Sequence, residues 1–179
     1  EIVRLLQTGR NTQATVSGPM AEVVQHSLQQ LTPEDLQAIA MYLQSRARQA
    51  PREAARLAPP SVRASVAEHG AKVYERHCAT CHGEQGQGVP GIYPALAANR
   101  AVLLSDPTNL VQSVLYGGYA PVTVGHPRPF GMPPFVLELE DRDIAAVLTH
   151  LRMALQAEGS KAGEVTPLQV NRIRAETTQ

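Results

Sequence analysis

The chain has 179 residues, 43% of them hydrophobic, and its 16 basic residues balance 16 acidic ones. The hydrophobic fraction excludes a disordered chain, and the balanced charge argues against a nucleic-acid partner or an anionic membrane surface. No apolar run approaches the roughly 18 residues of a membrane-spanning helix, so we expect a soluble chain, which is compatible with peripheral association with a membrane. Residues 1–4 do not resemble a signal peptide, as in a mature or truncated product.

Hydrophobic periodicity predicts an all-α chain. The first helix begins at Thr32-Pro33, where an N-cap, a proline and two acidic residues precede an apolar face, and we expect it over residues 33–45. Further helices are predicted over residues 65–77 and 109–116, from Asp141 onward, and from Thr166-Pro167 through Ile173. Glycine and proline assign residues 83–94 and 121–134 to loops, and an Arg/Ala/Pro-rich composition assigns residues 46–62 to a linker.

The chain also contains a diverged internal repeat. The aligned blocks are residues 2–9 with 110–117 and residues 31–36 with 139–144. Between its two blocks, each copy holds a methionine close to a glycine: Met20 follows Gly18-Pro19, and Met132 follows Gly131. Only the second copy has a cysteine-containing segment in front of it. The repeat therefore predicts two related units, of which only the second is complete.

The chemistry is carried by Cys78-Ala79-Thr80-Cys81-His82, a C-x-x-C-H motif typical of c-type haem attachment. Two thiols three positions apart on a helical turn can both reach the haem vinyl groups and form thioethers. The adjacent His82 is then fixed under the iron as the proximal ligand. We therefore predict a haem c bound through Cys78, Cys81 and His82.

Two other interpretations of this motif are a zinc site and a redox-active dithiol. Zinc needs four nitrogen, sulfur or oxygen ligands, and although His77 and His82 are close by, the chain has no second cysteine pair. A thioredoxin-like C-x-x-C should open a helix after a strand, and no such strand is evident. The sequence favours haem over both.

Met132 is the expected distal ligand of the iron, because it lies in the proline-fixed loop Phe130-Gly131-Met132-Pro133-Pro134. Methionine opposite histidine raises the haem potential, as an electron carrier fed by a dehydrogenase requires. His126 is the competing candidate. Met41 and Met153 fall in predicted helices, and we expect both to be core residues.

The spacing Gly70-x-x-x-Tyr74-x-x-x-Cys78 resembles the first helix of class I cytochrome c. The resemblance implies the all-α fold of that family, in which this glycine and aromatic pack against the final helix. Leu148 and Leu151 are the expected partners at the crossing. It also implies that the Pro94 carbonyl accepts the ring N–H of His82 and so fixes its tautomer.

A closer resemblance is to the multihaem cytochrome subunits of bacterial periplasmic or membrane-bound dehydrogenases. It covers residues 1–45 and 65–155, and it is most specific at residues 93–99 and 127–135. In that family, three cytochrome domains in one chain relay electrons from a quinoprotein, flavin or molybdenum catalytic subunit towards a downstream acceptor. The resemblance implies a periplasmic protein at the outer face of the inner membrane, and it adds Tyr93 to the haem site.

Arg128 lies in the same proline-rich stretch as the expected distal ligand. Its guanidinium suits paired carboxylates, so we consider it a partner for a haem propionate. A solvent-facing arginine is the alternative.

The predicted organisation has four parts. Residues 1–45 are the C-terminal half of a cytochrome c domain without its own C-x-x-C-H motif, residues 46–62 a linker, residues 63–157 a complete cytochrome c domain and residues 158–179 a C-terminal extension. About 45 residues are too few for a stable core unaided. We therefore expect residues preceding this chain to complete the first domain, with Met20 as the distal ligand of a second haem. The alternative is a degenerate appendage in which Met20 is only packed.

The expected function is electron transfer by the haem, within a dehydrogenase complex and without catalysis by this chain. The alternative is a haem enzyme, such as a peroxidase-like protein or a sulfur-compound oxidase. An enzyme of that kind needs an open or labile sixth position on the iron.

Overall fold

The structure, a computed structural model, describes residues 1–49, 64–97, 99–154 and 163–177. It divides into two compact units, one made of Glu1–Ala55 with Tyr119–Gly131, the other of Arg56–Gly118 with Met132–Gln179. Helices dominate both units, as the sequence predicts. Within the described ranges, no helix is both long enough and apolar enough to cross a membrane.

The first unit is built from three helices and a short 3-10 turn. They are α1 (Ile2–Thr8), α2 (Pro19–His26), the turn (Leu28–Gln30) and α3 (Pro33–Gln49). Helix α1 packs against α3, and the buried side chains include Leu6, Val24 and Leu36. The segment Tyr119–Gly131 joins this unit through Val122, whose backbone N–H donates to Gln25 Oε1 at 3.0 Å and whose carbonyl accepts from Gln29 Nε2 at 3.1 Å.

Helix α3 is longer than the sequence predicted. It begins as expected, with Thr32 Oγ1 accepting the Asp35 backbone N–H at 3.2 Å. It then continues through residues 46–49, which had been assigned to the linker. The reason is composition, because arginine, alanine and glutamine are good helix formers and the first proline comes only at Pro51. The rest of the predicted linker, residues 50–62, lies outside the described residues.

The second unit contains six helices within the described residues. They are α4 (Ala64–His77), α5 (Ala79–His82), α6 (Arg100–Leu103), α7 (Thr108–Tyr116), α8 (Asp141–Ala154) and α9 (Pro167–Thr177). Two short strands, β1 (Gly118–Tyr119) and β2 (Gly131–Met132), pair with each other in the connection between α7 and α8. The sequence did not predict α6 or the strands, and it ended α9 four residues too early.

Helices α4 and α8 form the main helix pair of the second unit. A Cβ added at Gly70 would overlap the Ala146 backbone carbonyl, so only glycine permits this approach. One turn later, the Tyr74 ring lies 5.8 Å from the His150 ring. The predicted packing of Gly70 and Tyr74 on the final helix of the domain is therefore present, but the closest approach is at Ala146 and His150. The expected partners Leu148 and Leu151 are buried in the adjoining core.

The core of the second unit lies between α4, α7, α8 and α9. Its most deeply buried apolar side chains are Val111, Leu115, Ile144, Val147, Leu148 and Val170. All six lie on helix faces with the three- and four-residue spacing from which helices are predicted.

Met41 and Met153 are exceptions to the predicted core. Both lie in helices, as expected, but their side chains are 62% and 47% exposed. Each follows directly after a residue on the buried face, Ala40 in α3 and Arg152 in α8, and a step of one residue turns a helix side chain by about 100°. Helical position alone was therefore an insufficient criterion for burial.

Candidate haem site

The C-x-x-C-H motif forms a single helical turn at the end of α4. The Cys78 N–H still bonds to the Tyr74 carbonyl at 2.9 Å, so the cysteine closes α4. The Cys78 carbonyl then accepts from the N–H groups of Cys81 at 3.2 Å and His82 at 2.9 Å. Because residues three and four apart share a helix face, this turn gathers the two thiols and the imidazole on one side.

The Cys78 thiol does not have the character of a redox-active cysteine. Burial, followed by the neighbouring Cys81, raises the pKa of Cys78 to about 11. Reactive C-x-x-C dithiols instead have a thiol whose pKa is lowered, usually at a helix N-terminus or beside a cation. Zinc has no support either, since no group of three or more His, Cys, Asp or Glu side chains suited to a metal ion occurs within the described parts of the chain.

His82 is buried and held in one orientation. Its Nδ1 lies 2.9 Å from the Pro94 carbonyl oxygen, which can only accept, so Nδ1 carries the proton. Burial lowers the pKa of His82, and this effect exceeds the opposing influence of the Pro94 bond. The imidazole is thus neutral at neutral pH, with its lone pair on Nε2, as an iron ligand requires.

The loop that carries Pro94 is tied back onto the motif. The Gly88 N–H donates to the His82 carbonyl at 2.7 Å, and the Val89 N–H donates to the Tyr93 carbonyl at 3.0 Å. A Cβ at Gly88 would overlap backbone atoms of Tyr93 and Pro94, so this residue must be glycine. The Tyr93 side chain is half-buried at this point. These contacts fix the Pro94 carbonyl beside the imidazole.

Met132 lies in the same unit as the motif. Its side chain is half-buried and packs on the hydrophobic core that Cys78 and Leu96 also contact. Its backbone is held by Gly117, where a Cβ would overlap the Met132 carbonyl oxygen and where φ is +63°. Gly117 therefore both ends α7 and admits the methionine-bearing strand, for which glycine alone is suited.

The remaining predicted residues, Arg128, His126 and Met20, belong to the first unit. Arg128 is exposed in the segment Tyr119–Gly131. His126 is half-buried in that segment and exchanges backbone hydrogen bonds with Thr123. Met20 is 40% exposed in the first turn of α2.

The sequence did not predict two sets of hydrogen bonds near the site. The Tyr74 hydroxyl donates to the Gly83 carbonyl at 2.6 Å and so ties α4 to the residue that follows His82. Asn99 is buried, donates to the Ala95 carbonyl at 3.2 Å and accepts the Ala101 N–H at 3.0 Å. An asparagine in front of a helix is an N-cap signal, and that signal could have revealed α6.

The donor set fits a covalently bound haem. Two thiols and a neutral histidine share one helical turn, a fixed carbonyl sets the tautomer, and a thioether packs on the same core. This combination defines a c-type haem protein of the all-α class. In agreement, residues 67–154 match the family model described as "Cytochrome c". Residues 67–154 thus belong to the cytochrome c family, and the chain carries a covalently bound haem c.

Similar proteins include cytochrome c subunits of dehydrogenases and a cytochrome c-552. The chain is 34% identical over 157 residues to "Alcohol dehydrogenase (quinone), cytochrome c subunit" of Gluconobacter oxydans, covering 85% of this chain and 33% of the relative. It is 32% identical over 184 residues to "Gluconate 2-dehydrogenase cytochrome c subunit" of Pantoea cypripedii, covering 99% of this chain and 41% of the relative. It is also 38% identical over 88 residues to "Cytochrome c-552" of Thermus thermophilus, covering 48% and 66%.

The chain thus spans between a third and two fifths of the length of the two dehydrogenase subunits. The stretch shared with cytochrome c-552 covers about half of this chain.

Proposed function

We propose that this chain is part of the cytochrome subunit of a dehydrogenase complex, in which it relays electrons from the catalytic subunit to a downstream acceptor. The proposal rests on the similarity to the alcohol and gluconate dehydrogenase subunits over nearly the whole chain, including residues outside the cytochrome c match. The observation that carries the electron-transfer role is the His82–Pro94 hydrogen bond, because it holds a neutral imidazole ready to ligate iron. A periplasmic location follows from the thioether chemistry, which belongs to the oxidising side of bacterial membranes.

Each residue has a distinct role in this proposal. Cys78 and Cys81 anchor the haem by thioether bonds, and His82 is the proximal ligand oriented by Pro94. Met132 supplies the distal thioether. When bound, the haem carries one electron by cycling between Fe(III) and Fe(II).

The peripheral assignments are also proposals. Tyr93 contributes to the haem pocket through its half-buried side chain next to Pro94. Arg128 is an exposed cation in the stretch that precedes Met132, and its fork of donors suits a haem propionate.

Covalent attachment is tested on the denatured protein. Purified periplasmic protein run on a denaturing gel should give a band that stains for haem-dependent peroxidase activity. The variant Cys78→Ser/Cys81→Ser should give a colourless band, with Ser45→Ala as the control that stains like the parent. A colourless parent band with two free thiols would contradict the assignment.

The dehydrogenase partner is tested by co-purification of the native complex. We expect a large subunit of the quinoprotein, flavin or molybdenum class, and we expect its substrate to reduce the haem within the complex. Isolation of the cytochrome without such a subunit, or a haem that stays oxidised on substrate addition, would oppose this proposal. Rapid cyanide binding by the oxidised protein at neutral pH would instead favour the haem-enzyme alternative.

We further propose that Met20 is the distal ligand of a second haem. Helices α1 and α7 both end at a glycine with positive φ, 73° at Gly9 and 63° at Gly117. Within each unit this helix packs against the helix that follows the methionine, α3 in the first unit and α8 in the second. The described residues of the first unit include no C-x-x-C-H motif, so its proximal ligand comes from residues outside them.

Haem quantitation against the intact mass of the native polypeptide tests the second haem. We expect more than one haem per chain and an effect of Met20→Ala on one haem only. A native polypeptide with a single haem, unaffected by Met20→Ala, would show that Met20 is a packing residue.

A further inference from the structure

The segment between Met132 and α8 depends on other helices for its position. Pro133 and Pro134 have no N–H to donate, so the first bonds that fix the segment come two residues later. The Phe135 N–H donates to the Val114 carbonyl at 3.1 Å and the Val136 N–H donates to the Leu115 carbonyl at 3.0 Å. These two bonds attach the segment to the last turn of α7.

The same segment is also bound by a side chain of the C-terminal helix α9. Arg174 donates from Nη1 to the Val136 carbonyl at 2.9 Å and from Nη2 to the Leu139 carbonyl at 3.2 Å. Its Nε donates to Asp141 Oδ1 at 2.8 Å, and Asn171 Nδ2 donates to Asp141 Oδ2 at 2.9 Å. One planar guanidinium thus joins two backbone carbonyls and the first residue of α8.

Helix α9, together with the residues that lead into it, packs firmly in the core and so fixes the position of Arg174. Val165 and Val170 are 1% and 0% exposed, and Ile173, next to Arg174, is 6% exposed. The Thr149 hydroxyl on α8 donates to the Val165 carbonyl at 3.2 Å and accepts the Val165 N–H at 3.0 Å. The extension is therefore seated in the core of the second unit, and the position of Arg174 is set by that seating.

We propose that α9 clamps the distal-ligand segment and that Arg174 is a positioning residue for Met132. The inference rests on the proposed role of Met132 as distal ligand. Movement of this segment away from the core would break the bonds of Arg174 to the Val136 and Leu139 carbonyls and would carry Met132 away from a bound haem. The clamp keeps the sixth position closed to small ligands, which suits an electron carrier and opposes the chemistry of a haem enzyme.

The test uses the full-length holoprotein and compares Arg174→Ala with Arg172→Ala, an exposed arginine on the same helix. Cyanide binding to the oxidised haem reports opening of the segment. Because a hydrogen bond from a charged donor contributes more than a neutral one, we expect roughly tenfold faster binding in Arg174→Ala and no change in Arg172→Ala. Arg174→Lys keeps the charge but not the fork, so its rate should fall between those of the parent and Arg174→Ala.

Urea titration separates clamping from general stability. In Arg174→Ala, the far-red sulfur-to-iron band should disappear at a lower urea concentration than the helical circular dichroism. If band and helix are lost together, or if the cyanide rate is unchanged, the clamp is refuted. If Arg174→Ala does not fold, Asp141→Asn takes its place, because it weakens the contact of the guanidinium with the start of α8. The cyanide-binding rate and the urea titration of that variant then support or refute the clamp by the same criteria.

Measurements on the parent protein distinguish a refuted clamp from a refuted assignment of Met132 as the distal ligand. A parent with the far-red band that is lost in Met132→Ala confirms the distal ligand whatever Arg174 does. A parent that lacks this band and matches Met132→Ala refutes both the ligand and the clamp.

Discussion

At the scale of single residues, each proposed haem ligand is held by a specific neighbour. His82 is neutral because it is buried, and its tautomer is set by one carbonyl oxygen 2.9 Å away. Met132 is admitted to its position by Gly117, since any larger residue would overlap its backbone. The positions of both proposed ligands are therefore set by a backbone carbonyl and a glycine that are not themselves ligands.

Met132→Ala is expected to leave the haem attached while lowering its reduction potential. The lost thioether is a ligand that favours Fe(II), and its removal also opens the iron to added ligands. A redox titration and the far-red sulfur-to-iron band measure both effects. Met153→Ala, at an exposed methionine, is the control and should match the parent. A sulfur-to-iron band that persists in Met132→Ala would show that another methionine is the ligand, and a parent protein without this band would direct attention to His126.

Asp143 gives the second unit a pH-dependent contribution to stability. Its Oδ1 lies 2.7 Å from His69 Nε2, and its Oδ2 accepts the Glu140 N–H at 3.0 Å. Burial acts to raise the pKa of Asp143, but the hydrogen bonds from His69 and Glu140, together with the charges of His69 and Arg142, hold that pKa below its ordinary value. The ionised form is thus favoured by folding, and its contribution is lost as the pH falls through the lowered pKa.

Asp143→Asn should consequently reduce the free energy of unfolding by about 1 kcal/mol at pH 6. The difference from the parent should shrink as the pH falls below 3.8, the ordinary pKa of the carboxyl. Urea unfolding at a series of pH values provides the measurement, with the exposed Glu75→Gln as control. A difference that stays constant down to low pH would show that the charge of Asp143 is not involved.

At the scale of secondary-structure elements, the pairing of α4 with α8 determines the frame of the haem site. Helix α4 carries the C-x-x-C-H motif at its end, so the depth at which it packs on α8 sets the position of Cys78. Gly70 permits the close approach, and the Tyr74 hydroxyl then reaches the Gly83 carbonyl beyond His82.

Gly70→Ala should therefore be destabilising even though alanine is the better helix former. The added methyl group meets the rigid Ala146 backbone, and forced repacking of this kind costs about 1–3 kcal/mol, more than the roughly 1 kcal/mol gained in helix propensity. Thermal unfolding followed by circular dichroism measures the net effect. Gly125→Ala is the control, because nothing lies within 4 Å of a Cβ added there. A Gly70→Ala variant as stable as the parent would mean that α4 and α8 can separate freely.

At the scale of the whole molecule, polar ties join segments that are far apart in sequence. Arg152 on α8 is 2% exposed, and it donates to the carbonyls of Val102 at 3.2 Å, Leu104 at 2.6 Å and Gly163 at 3.1 Å. Burial lowers the pKa of Arg152, while Asp106 acts to raise it, and the side chain remains a cation at neutral pH. It connects the end of α6 with the chain that leads into α9.

Arg152→Met should lower the free energy of unfolding by about 2–4 kcal/mol, since methionine keeps the volume but leaves three carbonyls without their donor. Urea unfolding of the holoprotein measures the loss. Arg142→Met, at an exposed arginine of the same helix, should cost less than about 1 kcal/mol. Equal losses of unfolding free energy at the two positions would show that the buried hydrogen bonds of Arg152 add nothing to stability.

The features that the sequence by itself determined depend on neighbours along the chain. The C-x-x-C-H turn, the capped start of α3 and the glycine that ends α7 are set by contacts within about four residues, so their patterns were sufficient. The haem, its two anchors and the cytochrome c family followed from such local patterns.

Only the tertiary structure decided the rest, because the contacts involved join residues that no local pattern relates. Arg174 meets Val136 across 38 positions and Arg152 meets Val102 across 50, and both arginines look like ordinary charged residues in the sequence. Met41 and Met153 look like core residues but face solvent, since burial depends on which helix packs against which face. How the C-terminal extension is used, and what secures the distal-ligand segment, are therefore properties of the folded chain.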